Sequence, residues 1–458
     1  MSTPNPRTVI LVSGIEFPRY KKEDPPSGAP KWKANSVKRI RDAKAPGALS
    51  SGACRNPAEA GLKFAPDVLL GSQWRRFALR VAVQKLTKNP DLNIILFDID
   101  RGIEERVVIQ NKTLSTVLNK KYLEPLDSDY RMEVAHGTSR TLKAIDPKVL
   151  IKTFPNPPTI RLYPFISEIN TGPVERIDWL AQRAQNTKWL AKYEKRPESS
   201  RLLSILDVYR RIQEIGATAP YTLEEFQLWG HASSSAYSSN SGTAFANTDH
   251  VDIGSSNARH PLDLDARAIR DFDQVTMNRR SFRMAFAKGA MTIVWGCNWS
   301  RPYYDFLGQV MKQLGSKPLK DDTPFVFSWR AGTGGYEAWF RKLMDLQPTD
   351  PTKNIKKDGK FIRALVTRLL RETYMQQIAN VTSRCATGGV PGVGSDYDDR
   401  SEQKAPCLSN IPMAPLYGMN ENMRHVLNFY AKHFAVQFNR DGAEPKFGRG
   451  FAVYCPDL

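Results

Sequence analysis

No apolar run in this chain approaches the roughly 20 residues that a membrane-spanning helix needs. The apolar stretch nearest the start, Val9-Ile10-Leu11-Val12, is shorter than the about 7–15 residues of a signal-peptide core. The expectation is a protein without a transmembrane segment, either cytoplasmic or exported without a cleavable signal peptide. Cysteine is scarce. Cys54, Cys297, Cys385, Cys407 and Cys455 are far apart, odd in number and never spaced as CxxC. They suggest neither a disulfide framework nor a zinc ribbon. The six histidines form no HxxxH pair around a glutamate, so no metal and no cofactor is expected. Gly332-Thr333-Gly334-Gly335 lacks the Lys and Ser/Thr of a phosphate-binding loop. No G-x-S-x-G elbow occurs, which argues against a serine α/β-hydrolase.

What the chain has in excess is positive charge, a net +19 over 458 residues. Part of it is local: Lys31, Lys33, Lys38, Arg39, Arg41 and Lys44 face the single acid Asp42, among Pro25, Pro26, Pro30 and Pro46. We read residues 19–50 as an extended basic, Pro-rich arm or loop. The charge has two readings, attraction to an acidic partner such as nucleic acid or an envelope polymer, and a solvated basic surface. No aromatic-interleaved platform or zinc-finger spacing accompanies it.

Apolar bursts alternate with amphipathic segments. Thr8–Gly14 and Asn93–Ile99 read as buried strands, 73–86 as a helix and Glu105–Gln110 as a short third element. Helices follow at Arg176–Tyr193 and over Leu202–Ile212, the second stopped by Gly216. Glu225–Gly230 reads as a strand ending on His231, before a Ser/Gly-rich tract taken as irregular. A helix at Arg280–Lys288 leads into the strand Ala290–Gly296, ending on Cys297. Ser300 caps a further helix, and Thr323–Ser328 is another strand. This pattern predicts an α/β core over 1–345, a mostly parallel sheet with helices on both faces. Residues 346–458 read as a C-terminal, mainly helical extension packed on that core, with helices at Lys360–Ala379 and Asn422–Phe434.

His231 and Cys297 carry the chemistry. Each follows an apolar strand and a Trp-Gly pair, Trp229-Gly230 and Trp295-Gly296. Ligands of open α/β sheets bind outside the carboxyl ends of the strands. Parallel neighbours would bring both side chains to one edge, where an imidazole and a helix N-terminus favour a thiolate. Asp249 and Asp252, carboxylates near His231 in the sequence, could orient the imidazole. The acids Asp263, Asp265, Asp271 and Asp273, and later Asp396, Asp398 and Asp399, suit helix capping and solvated loops better than cation binding.

These motifs resemble the caspase-like cysteine peptidases, in which a catalytic His follows one strand and the Cys the next. The resemblance covers about residues 222–340. It implies a Cys297/His231 dyad, with the backbone N–H groups of Ala232 and Cys297 holding an oxyanion. The family usually has Gly after the His, and this chain has Ala232. Ser328-Trp329-Arg330, followed by Gly334-Gly335, resembles the motif with which caspases build an acidic-residue pocket, making Trp329 and Arg330 the expected substrate-binding residues. The implied function is a cysteine-dependent peptidase or amidase acting on a protein or peptide. Its charge and cysteine count would also suit a bacterial toxin or effector. The alternatives are an inactive scaffold of the same fold, and a basic nucleic-acid- or envelope-binding protein.

Overall fold

The computed structural model describes residues 6–14, 62–65, 68, 73–99, 101–122, 203, 205–229, 234–235, 244–245, 279–295, 301–329, 337–371, 373–393, 421–438 and 451–457. The basic arm at 19–50, the helix expected at 176–193, the acidic stretches and the GTGG segment lie outside the described residues. In chain order the elements are β1 (Thr8–Ser13), β2 (Lys63–Phe64), α1 (Gln73–Lys88), β3 (Asn93–Asp98), β4 (Ile103–Gln110), β5 (Thr113–Lys121), α2 (Ile205–Thr218) and β6 (Leu223–Trp229). There follow β7 (Ser234–Ser235), β8 (Ala244–Phe245), α3 (Arg279–Ala285), β9 (Phe286–Trp295), α4 (Arg301–Leu314), β10 (Pro324–Phe327) and α5 (Glu337–Leu343). The chain closes with β11 (Ile355–Asp358), α6 (Gly359–Arg371), α7 (Tyr374–Thr382), β12 (Ala386–Gly388), α8 (Glu421–Phe434) and β13 (Ala452–Tyr454).

The large sheet is mixed but mostly parallel, with strand order β13-β12-β9-β6-β1-β3-β4-β5-β2. Its centre, β12-β9-β6-β1-β3, runs parallel throughout. The strand β1 is buried along its whole length, and β3 along all but its first residue. Such unbroken apolar runs belong to strands covered on both faces. Register separates the faces. Ser13 lies opposite both Asp98 and Trp229, so these three share one face, and α1 covers it through Phe77 on Trp229 and Arg75 on Asp98. Gly388 is two residues from Ala386, the partner of Thr292, and packs on Met375 of α7 on the opposite face. At one flank β4 and β5 form an antiparallel hairpin whose turn residues, Asn111 and Lys112, both have positive φ. That conformation suits the right-handed twist of the two strands.

Several expectations change in contact with the tertiary structure. Gly216 does not stop α2, which continues to Thr218. A Cβ at Gly216 would lie 1.7 Å from the Ser281 carbonyl oxygen, so the glycine is there to let α2 and α3 touch through their backbones. The helix expected to reach Lys288 ends at Ala285, and β9 begins at Phe286. The single helix expected over 360–379 is two, because the Thr373 side chain accepts from Gln376 N and starts α7 anew. The Ser/Gly tract is partly regular, since Ser234–Ser235 pairs with Ala244–Phe245. The segment 346–458 supplies helices and also two strands, β12 and β13, that extend the large sheet. The strand β10 pairs with β11 in a separate two-stranded sheet. Its other edge is satisfied by glutamines one helical turn apart on α4: Val326 N donates to Gln313 Oε1 at 2.8 Å, and Ser328 N to Gln309 Oε1 at 3.0 Å.

The cysteines also need correction. Cys385 and Cys455 form a disulfide across a sequence separation of 70. They follow on directly from the pair Ala386↔Tyr454, so the antiparallel register of β12 and β13 brings them face to face. Spacing in the sequence carries no trace of this, because the loop between them is long and their meeting depends on the sheet edge.

Two stability tests follow. Gly216→Ala should lower the unfolding free energy by about 1–3 kcal/mol through overpacking. Gly308→Ala in α4 should raise it by up to about 1 kcal/mol, since nothing lies within 4 Å of a Cβ there and alanine favours a helix. Urea titrations of both variants decide. Removing the Cys385–Cys455 bond by a double alanine substitution should cost about 4 kcal/mol for a loop of 70 residues. An unchanged melting temperature in the double variant would contradict this.

Candidate active site at the carboxyl edge of the sheet

The strands β6 and β9 are adjacent, parallel and in register to their last residues, with Leu228 opposite Val294 and Trp229 opposite Trp295. Hydrogen bonds extend this edge sideways: Gly14 N donates to Trp229 O at 2.7 Å and Ile99 N to Ser13 O at 3.0 Å. The chain therefore leaves the sheet at two neighbouring points, each two residues before a candidate. His231 follows Trp229, and Cys297 follows Trp295. His231, Ala232, Cys297 and Arg330 lie outside the described residues. What is described is the pair of strand ends that precede the first three in the chain.

These strand ends are aromatic. The Trp229 and Trp295 indoles stack with centroids 4.4 Å apart and planes 7° from parallel. Phe77 of α1 stacks on Trp229 at 5.6 Å, and Phe451 packs on Trp295 at 4.8 Å. The row joins α1, the two central strands and the segment entering β13. Offset stacks of this kind contribute roughly 0.5–1.5 kcal/mol per pair beyond the area they bury. A buried indole N–H needs an acceptor, and Trp295 Nε1 donates to Gln227 Oε1 at 3.0 Å. Gln227 in turn donates through Nε2 to Glu225 Oε2 at 2.7 Å, and Lys85 of α1 donates to the other Glu225 oxygen. Glu225, Gln227 and Trp229 alternate on one face of β6, so a polar chain runs beneath α1 from its lysine to the indole.

Charge fixes the same edge from the side. Arg75 of α1 is wholly buried between Asp98, 3.1 Å away, and Glu105, 2.6 Å away. Its Nε donates to Val68 O at 3.2 Å. Such a cluster gives little net energy after desolvation, but losing one member leaves a buried charge uncompensated. Its structural effect is to hold the first turn of α1 against the end of β3 and against β4. Nearby, burial raises the Glu104 carboxyl above its usual range, against the opposing pull of Arg211, Lys120 and Asn119.

The helix α4 opens four residues after Cys297. Its Tyr303 side chain reaches the loop that follows β12: Tyr303 and Tyr430 hydroxyls lie 2.8 Å apart, and Tyr430 donates to Pro391 O at 2.8 Å. Gly392 leaves room for Tyr303 and Leu307 there. Burial pushes the Tyr303, Tyr430 and Tyr454 phenols well above their usual range. They stay protonated and act as packing and hydrogen-bonding groups, not bases.

Trp329 is half-buried, packs on Phe340 with centroids 5.4 Å apart, and donates its backbone N–H to Thr352 O at 2.7 Å. The motif resemblance expects it to bind substrate beside Cys297. The preceding strand, β10, belongs to the small β10–β11 sheet, so the register of the large sheet does not bring Trp329 to the β6–β9 edge. The groups that sequence reasoning missed are Arg75, Lys85, Asp98, Glu225 and Gln227. Two carried a signal, for Glu225 and Gln227 alternate in a strand whose remaining side chains are mostly apolar. No group of three or more His, Cys, Asp or Glu residues with metal-binding geometry occurs among the described residues. No helix among them is long and apolar enough to cross a membrane.

No protein-family model, curated protein or solved structure matches the chain. Any functional reading therefore rests on these residues and their geometry.

Gln227→Leu removes the acceptor of Trp295 Nε1 and should cost about 1–3 kcal/mol, the penalty of a buried donor losing its partner. The change should also alter tryptophan emission, because both indoles sit in the stack. Unfolding curves followed by fluorescence test both effects, and a neutral substitution would mean that the polar chain does not hold Trp295.

Proposed function

We propose that this chain is a cysteine-dependent hydrolase, a peptidase or amidase of caspase-like type, with Cys297 as nucleophile and His231 as its base. The supporting observation is the parallel pairing of β6 and β9 with Trp229 opposite Trp295. It gives His231 and Cys297 the same two-residue offset from neighbouring strand ends. In the proposed reaction the Cys297 sulfur attacks the carbonyl carbon, and His231 takes the thiol proton. Backbone N–H groups of Ala232 and Cys297 hold the oxyanion, each worth roughly 3–4 kcal/mol of barrier. The C–N bond breaks, the amine leaves with the proton from His231, and a thioester remains. Water attacks the thioester while His231 takes its proton, and the released thiolate is reprotonated. The N-terminus of α4, which begins four residues after Cys297, favours the thiolate.

The Cys385–Cys455 bond favours an oxidising compartment over the cytoplasm, since disulfides persist where thiols are not kept reduced. Export, as an effector or toxin would use, accommodates that. The reading of Trp329 and Arg330 as an acidic-residue pocket rests on the motif resemblance, and the seat of Trp329 in the small sheet lends it no support.

The proposal predicts that iodoacetamide modifies Cys297 with a rate titrating below the roughly pH 8.5 of a free thiol. His231→Ala should return that titration to the ordinary thiol range, with the fold unchanged by circular dichroism. Cys297→Ala should abolish hydrolysis of a peptide library at any residue, and Arg330→Ala should lower cleavage after Asp and Glu selectively. A Cys297 that titrates as a free thiol in the unmodified chain would sink the dyad. A cleavage profile indifferent to acidic residues would remove Arg330 alone.

A further inference from the structure

We infer that the turn between α4 and β10, together with the outer side of α6, forms a docking stripe for the phosphodiester backbone of a nucleic acid. This inference is independent of the hydrolase reading. Lys317 and Lys320 on the turn, Lys356 on β11, and Lys360, Arg368 and Arg371 on α6 are all exposed. None of the six makes an ion pair among the described residues. Arg7, exposed elsewhere on the molecule, is by contrast paired with Glu224 at 2.7 Å. Three acids lie nearby, and two are already engaged. Asp321 Oδ1 accepts from Arg363 Nε at 2.8 Å, and Asp358 Oδ1 caps α6 through Phe361 N at 2.8 Å. The six cations outnumber these three acids, so the stripe keeps a net positive charge.

The stripe is built rigidly. Lys360 N donates to Asp321 O at 3.0 Å, and Arg363 Nη2 donates to Leu319 O. A Cβ on Gly359 would lie 1.8 Å from Lys320 O, so turn and helix are in backbone contact. The end of α8 joins them: Lys432 Nζ donates to Ser316 O at 2.8 Å, and Leu319 N to His433 Nδ1 at 3.4 Å. His433 is held below its usual range by burial first and then by Lys432 and Arg363, as a locally positive field requires.

Shape selects the partner. Lys360, Arg368 and Arg371 lie on one face of α6, spaced i, i+8 and i+11, and span about 16 Å along its axis. A compact phosphate would contact one or two of these cations. A linear polyanion can run along all of them and release condensed counterions as it does so. A membrane surface would gain from apolar groups able to insert, and among the described residues the one large exposed hydrophobic beside the stripe is Val326, opposite Lys356.

The test uses the full chain and fluorescence anisotropy with fluorescein-labelled oligonucleotides, single-stranded and duplex, across a potassium chloride series. The unmodified protein should bind with an affinity that falls steeply with salt. The triple variant Lys320→Glu, Lys360→Glu, Arg368→Glu should bind at least about tenfold more weakly, with a log–log salt slope shallower by about 2–3, near one unit per lost phosphate contact. A matched variant with the same charge change far from the stripe, Lys63→Glu, Lys88→Glu, Lys121→Glu, should keep the original slope. A glutamine triple at the stripe replaces the glutamate triple if circular dichroism shows the latter unfolded. Equal weakening by both triples would reduce the effect to net charge and overturn the proposal. So would absence of salt-sensitive binding, or binding only to phosphatidylserine vesicles.

Discussion

The stack of Trp229 on Trp295 is the contact on which the rest of the molecule turns. Two large indoles 4.4 Å apart at the ends of neighbouring strands admit one register only. A slip by one residue would move Trp229 to the opposite face of the sheet and away from Phe77. The indole of Trp295 then fixes Gln227 as its acceptor, Gln227 fixes Glu225, and Glu225 draws Lys85 of α1 onto the same face. A helix, two strands and the entry to the last strand are thereby set against one another at the carboxyl ends of β6 and β9.

Polar groups do most of the positioning, and apolar burial supplies the driving force. Arg75 between Asp98 and Glu105 holds the first turn of α1, and the tyrosine pair Tyr303–Tyr430 ties α4 to α8 and to the loop beyond β12. These contacts are conditional on one another, because each buried group is satisfied only while its neighbours stay in place. The disulfide adds a covalent version of the same constraint at the outer edge, where β12 and β13 are only three residues long and their ladder is correspondingly short. The basic stripe differs in kind. It is held by backbone contacts at Gly359 and by the end of α8, and its cations remain available to a partner.

Much of this was legible in the chain itself. The apolar runs of β1 and β3 and the apolar ends of β6 and β9 announced buried strands, and the repeated Trp-Gly endings marked two of them as a pair. Helical spacing of apolar residues marked α1, α2 and α4 to within a few residues. These signals are local: a strand buried on both faces must be apolar at every position, and a helix buried on one side must repeat near 3.6 residues.

What tertiary structure alone decided is where distant segments meet. Gly216 reads as a helix stop, yet its role is set by a carbonyl 65 residues further on, at Ser281. Thr323–Ser328 has the apolar pattern of a core strand, yet it pairs with Ile355–Asp358 because Gln309 and Gln313 occupy its other edge. Cys385 and Cys455 were invisible as partners, since their bond needs the β12–β13 register to exist first. The sequence determines how much apolar surface each segment must hide and with what period. Which partner hides it depends on shape, on the satisfaction of buried polar groups and on the geometry of long loops, and those are settled only when the whole chain packs.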